Sequence, residues 1–198
     1  MKYTTFILLA IFLLDYSVEA QTDTLSYGLY FKGDRVGSLT ATKTEIGKNT
    51  ILYEEESEAT IHFFGETTIS TSLKVVYKNG ILQNSQYSIT KNGSVYKKTT
   101  INRVGEKYHI DYNGTKSITS KPIYYSAVKL YFDPPDNVET VFAELEGVEH
   151  NVHKTKKDVY EIDDSENGKT NTYIYKNEML QEGFFKHTFY TYKLFKNK

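Results

Sequence analysis

Apolar and polar residues alternate along much of this chain, most clearly between residues 51 and 63. One parity is apolar and consists of Ile51, Tyr53, Ala59, Ile61 and Phe63. The other parity is polar and includes Glu54, Glu56, Glu58 and His62. Successive side chains of a β-strand point to opposite faces of a sheet, so the pattern predicts a strand with one wet face and one covered face.

The same alternation recurs at residues 27–31, 73–77 and 108–112. Between such stretches stand turn sequences, among them the four Asn-Gly pairs Asn79-Gly80, Asn92-Gly93, Asn113-Gly114 and Asn167-Gly168. Asn-Gly favours the two-residue type I′ turn, whose two central residues both need a positive φ. Turn signals about 8 to 14 residues apart are typical of an antiparallel meander. We therefore expect a meander of roughly ten strands.

Residues 183–195, GFFKHTFYTYKLF, have a different pattern, because aromatic residues occupy both parities. One parity holds Phe184, Tyr190 and Tyr192, and the other holds Phe185, Phe189 and Phe195. A strand that is apolar on both faces is usually covered on both faces. The pattern predicts that another element lies over the sheet at this strand.

Residues 122–136, PIYYSAVKLYFDPPD, supply a candidate for that element. Tyr124, Val128 and Tyr131 stand four and three residues apart, and Phe132 follows Val128 by four, which is the spacing of neighbours on a helix. Pro134 and Pro135 end the helix, since proline lacks the backbone donor and restricts the residue before it. We predict a short helix over residues 123–132 that lies on the concave face of the sheet. The alternative is a further strand that ends at an edge proline.

These elements predict an all-β fold with one short helix, in which a curved antiparallel meander forms a half-barrel around the helix. Residues 21–198 are predicted to form one domain. The helix and the aromatic strand would line a cavity between them. The predicted ligand-binding residues are Tyr124, Val128, Tyr131, Phe132, Phe185 and Phe189.

Residues 1–20 have the features of a secretory signal peptide. Lys2 supplies the positive start, residues 6–14 are an unbroken apolar run, and Val18 and Ala20 are the small residues of a cleavage site before Gln21. The alternative is a membrane anchor. A helix over residues 6–14 would be only about 14 Å long, which is too short to cross a hydrocarbon core of about 30 Å. No later stretch is long enough to span a bilayer as a helix. We expect an exported protein, periplasmic or extracellular, without a transmembrane segment in the mature chain.

Charge and cysteine content narrow the class of protein. The chain has 24 Lys and Arg against 25 Asp and Glu, and the two signs balance once Lys2, Asp15 and Glu19 are removed with the signal peptide. No strong field of one sign exists to attract nucleic acid, so no nucleic-acid partner is predicted. The chain has no cysteine. An exported protein without disulfides fits a bacterial envelope better than a small animal secreted domain.

Residues 146–153, EGVEHNVH, are the best candidate for metal chemistry. On a helix, Glu146, Glu149, His150 and His153 would lie together and suit a metal ion. Gly147, Val148 and Val152 favour a strand instead, and a strand sends His150 and His153 to opposite faces. The acidic residues Glu54, Glu55, Glu56 and Glu58 are interpreted as a solvated strand face rather than as acid–base pairs. The sequence has no nucleophile motif or glycine-rich phosphate loop, and no catalytic residue, metal site or cofactor is predicted.

Aromatic abundance is the remaining signal for function. The chain has 18 Tyr and 11 Phe, with no Trp. Tyrosine is large, rigid and amphipathic, and it suits both a core with wet edges and a pocket for an amphipathic molecule.

Three segments resemble a family of exported bacterial proteins known as a domain of unknown function and common in Bacteroidetes. They are YGLYFKGDRVGSL at 27–39, PIYYSAVKLYFDPP at 122–135 and TNTYIYKNEML at 170–180. A more distant similarity of pattern links such proteins to the periplasmic half-barrels of the LolA/LolB lipoprotein-carrier type. That resemblance implies a curved sheet that wraps helices and shelters acyl chains.

Three classes of function follow from these expectations. The first is a binding module for a lipid or another apolar or amphipathic small molecule in the cell envelope. The second is a structural or interaction protein of the envelope, with a filled core and an exposed edge strand. The third and least favoured is a hydrolytic or metal-dependent enzyme.

Overall fold

A computed structural model describes residues 21–62, 65–164, 168–186 and 191–197. Fourteen strands and one short helix are found in these residues. The strands of the first half are β1 (Thr22–Phe31), β2 (Asp34–Gly47), β3 (Thr50–His62), β4 (Glu66–Lys78), β5 (Ile81–Lys91), β6 (Ser94–Val104), β7 (Lys107–Tyr112) and β8 (Thr115–Thr119). A 3₁₀ helix, Ala127–Tyr131, follows. The second half contains β9 (Thr140–Ala143), β10 (Val148–Lys156), β11 (Val159–Asp164), β12 (Lys169–Lys176), β13 (Met179–Lys186) and β14 (Thr191–Lys196).

The strands form one curved antiparallel sheet, and the predicted fold class is confirmed. Strands that follow each other in sequence pair, except β8 and β9, and β1 also pairs with β14, so the sheet order is β8 to β1 followed by β14 to β9. Within the described residues, β8 and β9 do not pair with each other, and the sheet is not closed into a barrel.

The predicted number of strands was too low, and two of the turns that lack an Asn-Gly signal illustrate the reason. Asn177 and Glu178 both have positive φ, at 52° and 62°, and they join β12 to β13. Asp158, with φ 59°, joins β10 to β11. Asn and Asp tolerate the left-handed region better than most residues, which allows such turns without glycine.

The predicted Asn-Gly turns are confirmed where the structure describes them. Asn79, Asn92 and Asn113 have φ near 50°, and the glycine after each is also positive. Asn167, in the fourth predicted turn, lies outside the described residues. The predicted alternation is also confirmed: Tyr53, Leu73, Val75, Tyr77, Tyr108 and Ile110 are all buried on the inner face.

The predicted strand over 183–195 is wrong as one element. Residues 183–186 end β13 and residues 191–195 belong to β14, while 187–190 lie outside the described residues. The aromatic residues on both parities come from two strands of a hairpin. Phe185 and Tyr192 are paired across β13 and β14, and their rings stack at 4.8 Å. Phe184 and Phe195 meet edge to face at 6.2 Å on the other face.

The predicted helix exists but is shorter than residues 123–132, and it is a 3₁₀ helix rather than an α-helix. Residues before it are extended, because their backbone groups bond to strands: Ile123 accepts from Leu82 N–H at 3.0 Å, and Tyr125 accepts from Phe142 N–H at 3.1 Å. The helix ends before Pro134, as expected. Its buried side chains, Val128 and Leu130, lie in the sheet interior, and the helix contacts β3, β9 and β13.

Candidate functional site

The central segment, residues 122–138, closes one end of the sheet interior and is fixed there by buried hydroxyl groups. Tyr77 Oη donates to Ser126 Oγ at 2.8 Å, and Tyr175 Oη donates to the Leu130 carbonyl at 2.7 Å. These two tyrosines come from opposite halves of the sheet. The loop after the helix is held by Asp136, whose carboxylate accepts from Tyr160 at 2.5 Å and Lys154 at 2.6 Å. The central segment therefore ties the two halves together across the interior.

Five of the six predicted ligand-binding residues lie in the described part of the chain. Val128 is fully buried. Tyr131 and Phe132 are half-buried between the two larger hydrophobic clusters, and Phe185 packs half-buried against the cluster that contains Tyr27. Tyr124 is 61% exposed and stands apart from them. Phe189 lies outside the described residues.

Glu55 is the most unusual residue of the inner face. It is only 4% exposed, and it lies between Ala41 of β2 and Leu73 of β4. Thr71 Oγ1 donates to its carboxylate at 2.7 Å, and Ser57 and Thr71 bond to each other at 2.6 Å. Burial, with the nearby carboxylate of Glu144, raises the pKa of Glu55 to about 7, against the lowering effect of the Thr71 hydrogen bond.

The interpretation of Glu55 as part of a solvated face is therefore wrong. Glu55 has the parity of Tyr53, and this parity is the covered one. The sequence already indicated the burial of Glu55, because this residue stands at an apolar position of the alternation. An acidic side chain on the covered face of a strand needs hydrogen-bond partners there.

Glu144 is a second buried acid, and it follows β9 directly. It is 2% exposed. Its carboxylate accepts from the backbone N–H groups of Ala127 at 3.0 Å and Val128 at 3.1 Å, which are donors at the start of the 3₁₀ helix. Burial raises its pKa to about 7, although the hydrogen bond from Ser126 acts in the opposite direction. Sequence reasoning missed Glu144, because its partners lie in another element and no local pattern marks it.

Tyr87 and Tyr131 pack against the core cluster that contains Leu73, and Tyr173 packs against the cluster that contains Tyr27; the half-buried part of the inner face around these three tyrosines is called the recess. Tyr87, Tyr131 and Tyr173 keep intermediate exposure to solvent. Burial nevertheless raises the pKa of each hydroxyl above its ordinary value. The three rings are therefore only partly covered by the rest of the protein.

The inner face beyond Glu55 is mixed toward the hairpin end of β3 and β4, because Ser57, Thr67 and Thr71 share the parity of Glu55 with several aliphatic residues. Ala59, Ile61, Ile69 and Ile89 share the parity of Glu55 and are half-buried. The inner face therefore has a buried carboxyl group at Glu55 and half-buried aliphatic and hydroxyl side chains toward the hairpin end.

The residues of the metal hypothesis do not converge. They lie on or beside the strand β10, as the alternative predicted, with His150 buried and His153 exposed. His150 Nε2 is 3.9 Å from the carboxylate of Glu146, and this carboxylate raises the pKa of His150 against the effect of burial. His153 bonds to Asp163 at 3.2 Å, and Glu149 pairs with Lys121 at 2.6 Å. Over the described ranges, no three His, Asp or Glu side chains are placed to share a metal ion.

Helices offer no membrane span in the part of the chain that the structure describes, since none is both long and apolar enough. A comparison with curated proteins found no match. Among solved structures, the chain is similar to a β-barrel-like protein of domain of unknown function DUF1849 from Brucella abortus. The identity is 9% and the TM-score is 0.52, over 88% of this chain and 95% of the other. At this identity the likeness concerns the fold alone, and no catalytic family is indicated.

The family comparison covers most of the chain, from the middle of β1 to the end of β14. The match begins at residue 27, in the strand β1 at the centre of the sheet, and ends at residue 195. It thus includes the central segment, both buried acids and the tyrosine recess. The chain belongs to the family described as domain of unknown function DUF6134, which matches residues 27–195.

Proposed function

We propose that this protein is an exported binding module that takes an apolar or amphipathic small molecule into the recess of its sheet. The observation that carries the proposal is the partial exposure of Tyr87, Tyr131 and Tyr173 where they pack against the apolar clusters of the inner face. Ligand sites are typically concave, largely apolar and provided with a few polar groups. The inner face of the curved sheet supplies apolar clusters and a buried carboxyl group.

The position of the polar group supports an amphipathic ligand. Glu55 lies deep in the interior, while the half-buried side chains of Ile61, Ile69 and Ile89 lie toward the hairpin end. An amphipathic molecule would place its head at Glu55 and its apolar chain along these residues. Tyr131, Phe132 and Phe185 supply aromatic wall on the side of the central segment and β13.

Blocking the recess tests this function. Ala59→Trp adds a large ring to the apolar parity of β3, and Glu58→Trp adds the same ring to the exposed face one residue away. With the neutral fluorophore N-phenyl-1-naphthylamine as probe, we expect the wild type and Glu58→Trp to bind alike and Ala59→Trp to bind at least about tenfold more weakly. Equal binding by a folded Ala59→Trp variant would contradict the proposal.

Native extraction gives a second test with the protein as its host makes it. Mass spectrometry of an organic extract is expected to show a lipid or small amphiphile in stoichiometric amount with the wild type. The Ala59→Trp variant, prepared in the same way, is expected to lack it.

A second candidate is the structural or interaction protein of the envelope, and the edge strand β8 favours it. Ile118 of β8 is 60% exposed, and the far side of β8 pairs with no strand among the described residues. Exposed edges of this kind pair with other strands. Sedimentation of wild type and Ile118→Lys distinguishes this candidate, which requires an assembly that the lysine prevents.

Export is part of the same proposal and rests on residues 1–20, which lie outside the described residues. Amino-terminal sequencing of protein taken from its host is expected to begin at Gln21. The similarity of pattern to LolA/LolB carriers and the Bacteroidetes origin stay predictions from the sequence. Extraction of an acyl-chain lipid would support the carrier similarity.

A further inference from the structure

The two edges of the sheet differ in what covers them. At the β9 edge, Phe142 N–H donates to the Tyr125 carbonyl at 3.1 Å and Ser126 forms a β-bridge with Phe142, so the central segment covers this edge. At the other edge, β8 pairs with β7 alone among the described residues, and four of its five residues are exposed. The strand β8 is therefore the edge that is open to a further strand.

The hairpin between β7 and β8 determines which backbone groups of β8 face outward. Its two-residue loop makes Tyr112 and Thr115 a hydrogen-bonded pair, and such pairs alternate with non-hydrogen-bonded pairs along an antiparallel ladder. Ser117, two residues on, is then also hydrogen-bonded to β7. The backbone N–H and C=O groups of Lys116 and Ile118 therefore point away from β7 and face the open side.

The sequence of β8, Thr-Lys-Ser-Ile-Thr, is complementary to itself in the antiparallel direction. A two-fold axis at Ser117 puts Thr115 opposite Thr119 of a second copy, and Ser117 opposite its own equivalent. Lys116 then stands opposite Ile118 of the second copy, and the outward backbone groups of these two residues bond to each other. Hydroxyl side chains that face each other across two strands stabilise the pairing.

The chain already uses such hydroxyl contacts within its own sheet. Three pairs of register partners on neighbouring strands bond through their hydroxyl groups: Ser57 with Thr71 at 2.6 Å, Thr60 with Thr68 at 3.0 Å, and Thr22 with Thr44 at 3.1 Å. A second copy placed against β8 would make the same kind of contact on both sides of the axis.

The side chains of β8 favour this register over its neighbours. An axis at Lys116 would place two lysines directly opposite each other, which is destabilising. An axis at Ile118 would leave Thr115 and Lys116 opposite residues beyond the end of the partner's strand. With the axis at Ser117 all five residues of β8 have a partner, and the charge of Lys116 is balanced within its own copy by its register partner Asp111.

We infer that the open edge of β8 binds a second copy of this chain, so that two sheets join through antiparallel β8–β8 pairing about a two-fold axis at Ser117. Because the central segment covers β9, this pairing uses the open edge of each copy and ends the assembly at a dimer. The inference does not depend on ligand binding. It rests on the second candidate function, and it names the partner.

Cysteine cross-linking tests the position of the axis, because the chain has no cysteine of its own. The Cα atoms of a non-hydrogen-bonded antiparallel pair lie about 4.5 Å apart, within the range of a disulfide. In the protein without its signal peptide, Ser117→Cys is expected to form a covalent dimer under mild oxidation, as seen on a non-reducing gel. Ser94→Cys, also exposed and at the start of β6, is the control and is expected to cross-link at least about tenfold more slowly.

Charge substitutions at Ile118 test the register in solution. Ile118→Lys and Ile118→Glu both remove the exposed apolar side chain, but the lysine faces Lys116 of the second copy with a like charge and the glutamate with an opposite charge. Sedimentation equilibrium is expected to show a dimer for the wild type. The dimer of Ile118→Glu should be at least about tenfold tighter than that of Ile118→Lys, and the double variant Lys116→Glu, Ile118→Lys should recover the dimer.

The outcomes separate this inference from the functions proposed above. A wild type that stays monomeric at every protein concentration overturns the inference and leaves the second candidate function to a different partner. A dimer in which Ser117→Cys cross-links no faster than Ser94→Cys, or in which Ile118→Lys and Ile118→Glu associate equally, overturns the pairing of β8 and leaves an assembly through another surface. None of these results changes the binding of a small molecule, which is measured separately with the fluorophore.

Discussion

The carboxylate of Glu144 accepts a hydrogen bond from the backbone N–H of Val128 at 3.1 Å, and both residues are buried. With the second bond, from Ala127 N–H, this contact satisfies two donors that the start of the 3₁₀ helix leaves free. A five-residue helix has little stability of its own. The acid after β9 is therefore a main reason that the central segment keeps its shape and covers the interior.

Removal of this acid should destabilise the fold. Glu144→Ala leaves two buried backbone N–H groups without an acceptor, and we expect the free energy of unfolding to fall by about 3 kcal/mol. Urea denaturation followed by far-ultraviolet circular dichroism measures this change. Glu139→Ala, at an exposed position just before β9, is the matched control and should cost less than about 0.5 kcal/mol. A Glu144→Ala variant as stable as the control would show that the cap does not support the fold.

The two buried acids predict that stability falls as pH rises toward neutrality. Both have a folded-state pKa of about 7, above the ordinary value of 4.5, so between these limits the folded state binds more protons than the unfolded state. The contribution of the two acids to the free energy of unfolding is complete below about pH 4.5. It is lost as pH rises through about 7, and the loss is on the order of 3 kcal/mol for each acid.

Comparison of wild type with Glu55→Gln isolates one of these contributions. The variant does not ionise at this position, so its stability relative to wild type should increase with pH over the same window. Urea denaturation at several pH values checks the trend. A difference that stays constant with pH would mean that Glu55 titrates in the folded protein as it does in the unfolded chain.

At Gly37, β2 and β3 lie too close together to leave room for a side chain. A Cβ atom at this residue would lie 1.9 Å from the Glu58 carbonyl oxygen and 2.7 Å from the Ala59 Cα. Both are backbone atoms, so the strands must separate to admit it, and Gly37→Ala should lower stability by about 3 kcal/mol. Gly47→Ala, in the same strand, meets its nearest atom only at 4.0 Å and should change stability little. Thermal unfolding of the two variants side by side makes the comparison, and equal melting temperatures would contradict it.

The hydrogen bond from Tyr175 to the Leu130 carbonyl holds the central segment to the second half of the sheet. Tyr175→Phe removes the hydroxyl that donates to the Leu130 carbonyl in a buried site, and we expect a loss of about 1 to 2 kcal/mol. Tyr124→Phe makes the same chemical change at a position that is 61% exposed and should have no measurable effect. Hydrogen exchange of the Val128 and Lys129 amides is expected to become faster in the first variant only. Unchanged exchange in Tyr175→Phe would show that this bond does not restrain the helix.

The sequence was sufficient for the fold class because strand alternation and turn chemistry are local. The inner positions of β4 and β7, and the turns at Asn79, Asn92 and Asn113, follow from patterns a few residues long. The 3₁₀ helix was predicted at the right place by its aromatic spacing and by Pro134. Its length was not, because strands distant in sequence hold the backbone of residues 123–126 extended.

The candidate site was harder to predict than the fold, since it depends on contacts between distant elements. Tyr131, Phe132 and Phe185 could be selected from aromatic patterns, and they do lie near the recess. Glu55 was visible as an acid on an apolar parity but was grouped with its exposed neighbours. Glu144 could not be identified, because its partners, Ala127 and Val128, are known only once β9 is placed beside the helix.

The pairing of β1 with β14 has a consequence for how the protein is made. Synthesis delivers β1 first and β14 last, so the ladder at the middle of the sheet is the final one that can form. Until this ladder forms, the meander β1–β8 and the meander β9–β14 each have an edge strand with unpaired backbone groups, which the complete sheet pairs with each other. A chain that ends before β14 therefore leaves β1 as an unpaired edge strand. Such fragments should aggregate rather than remain as smaller folded proteins.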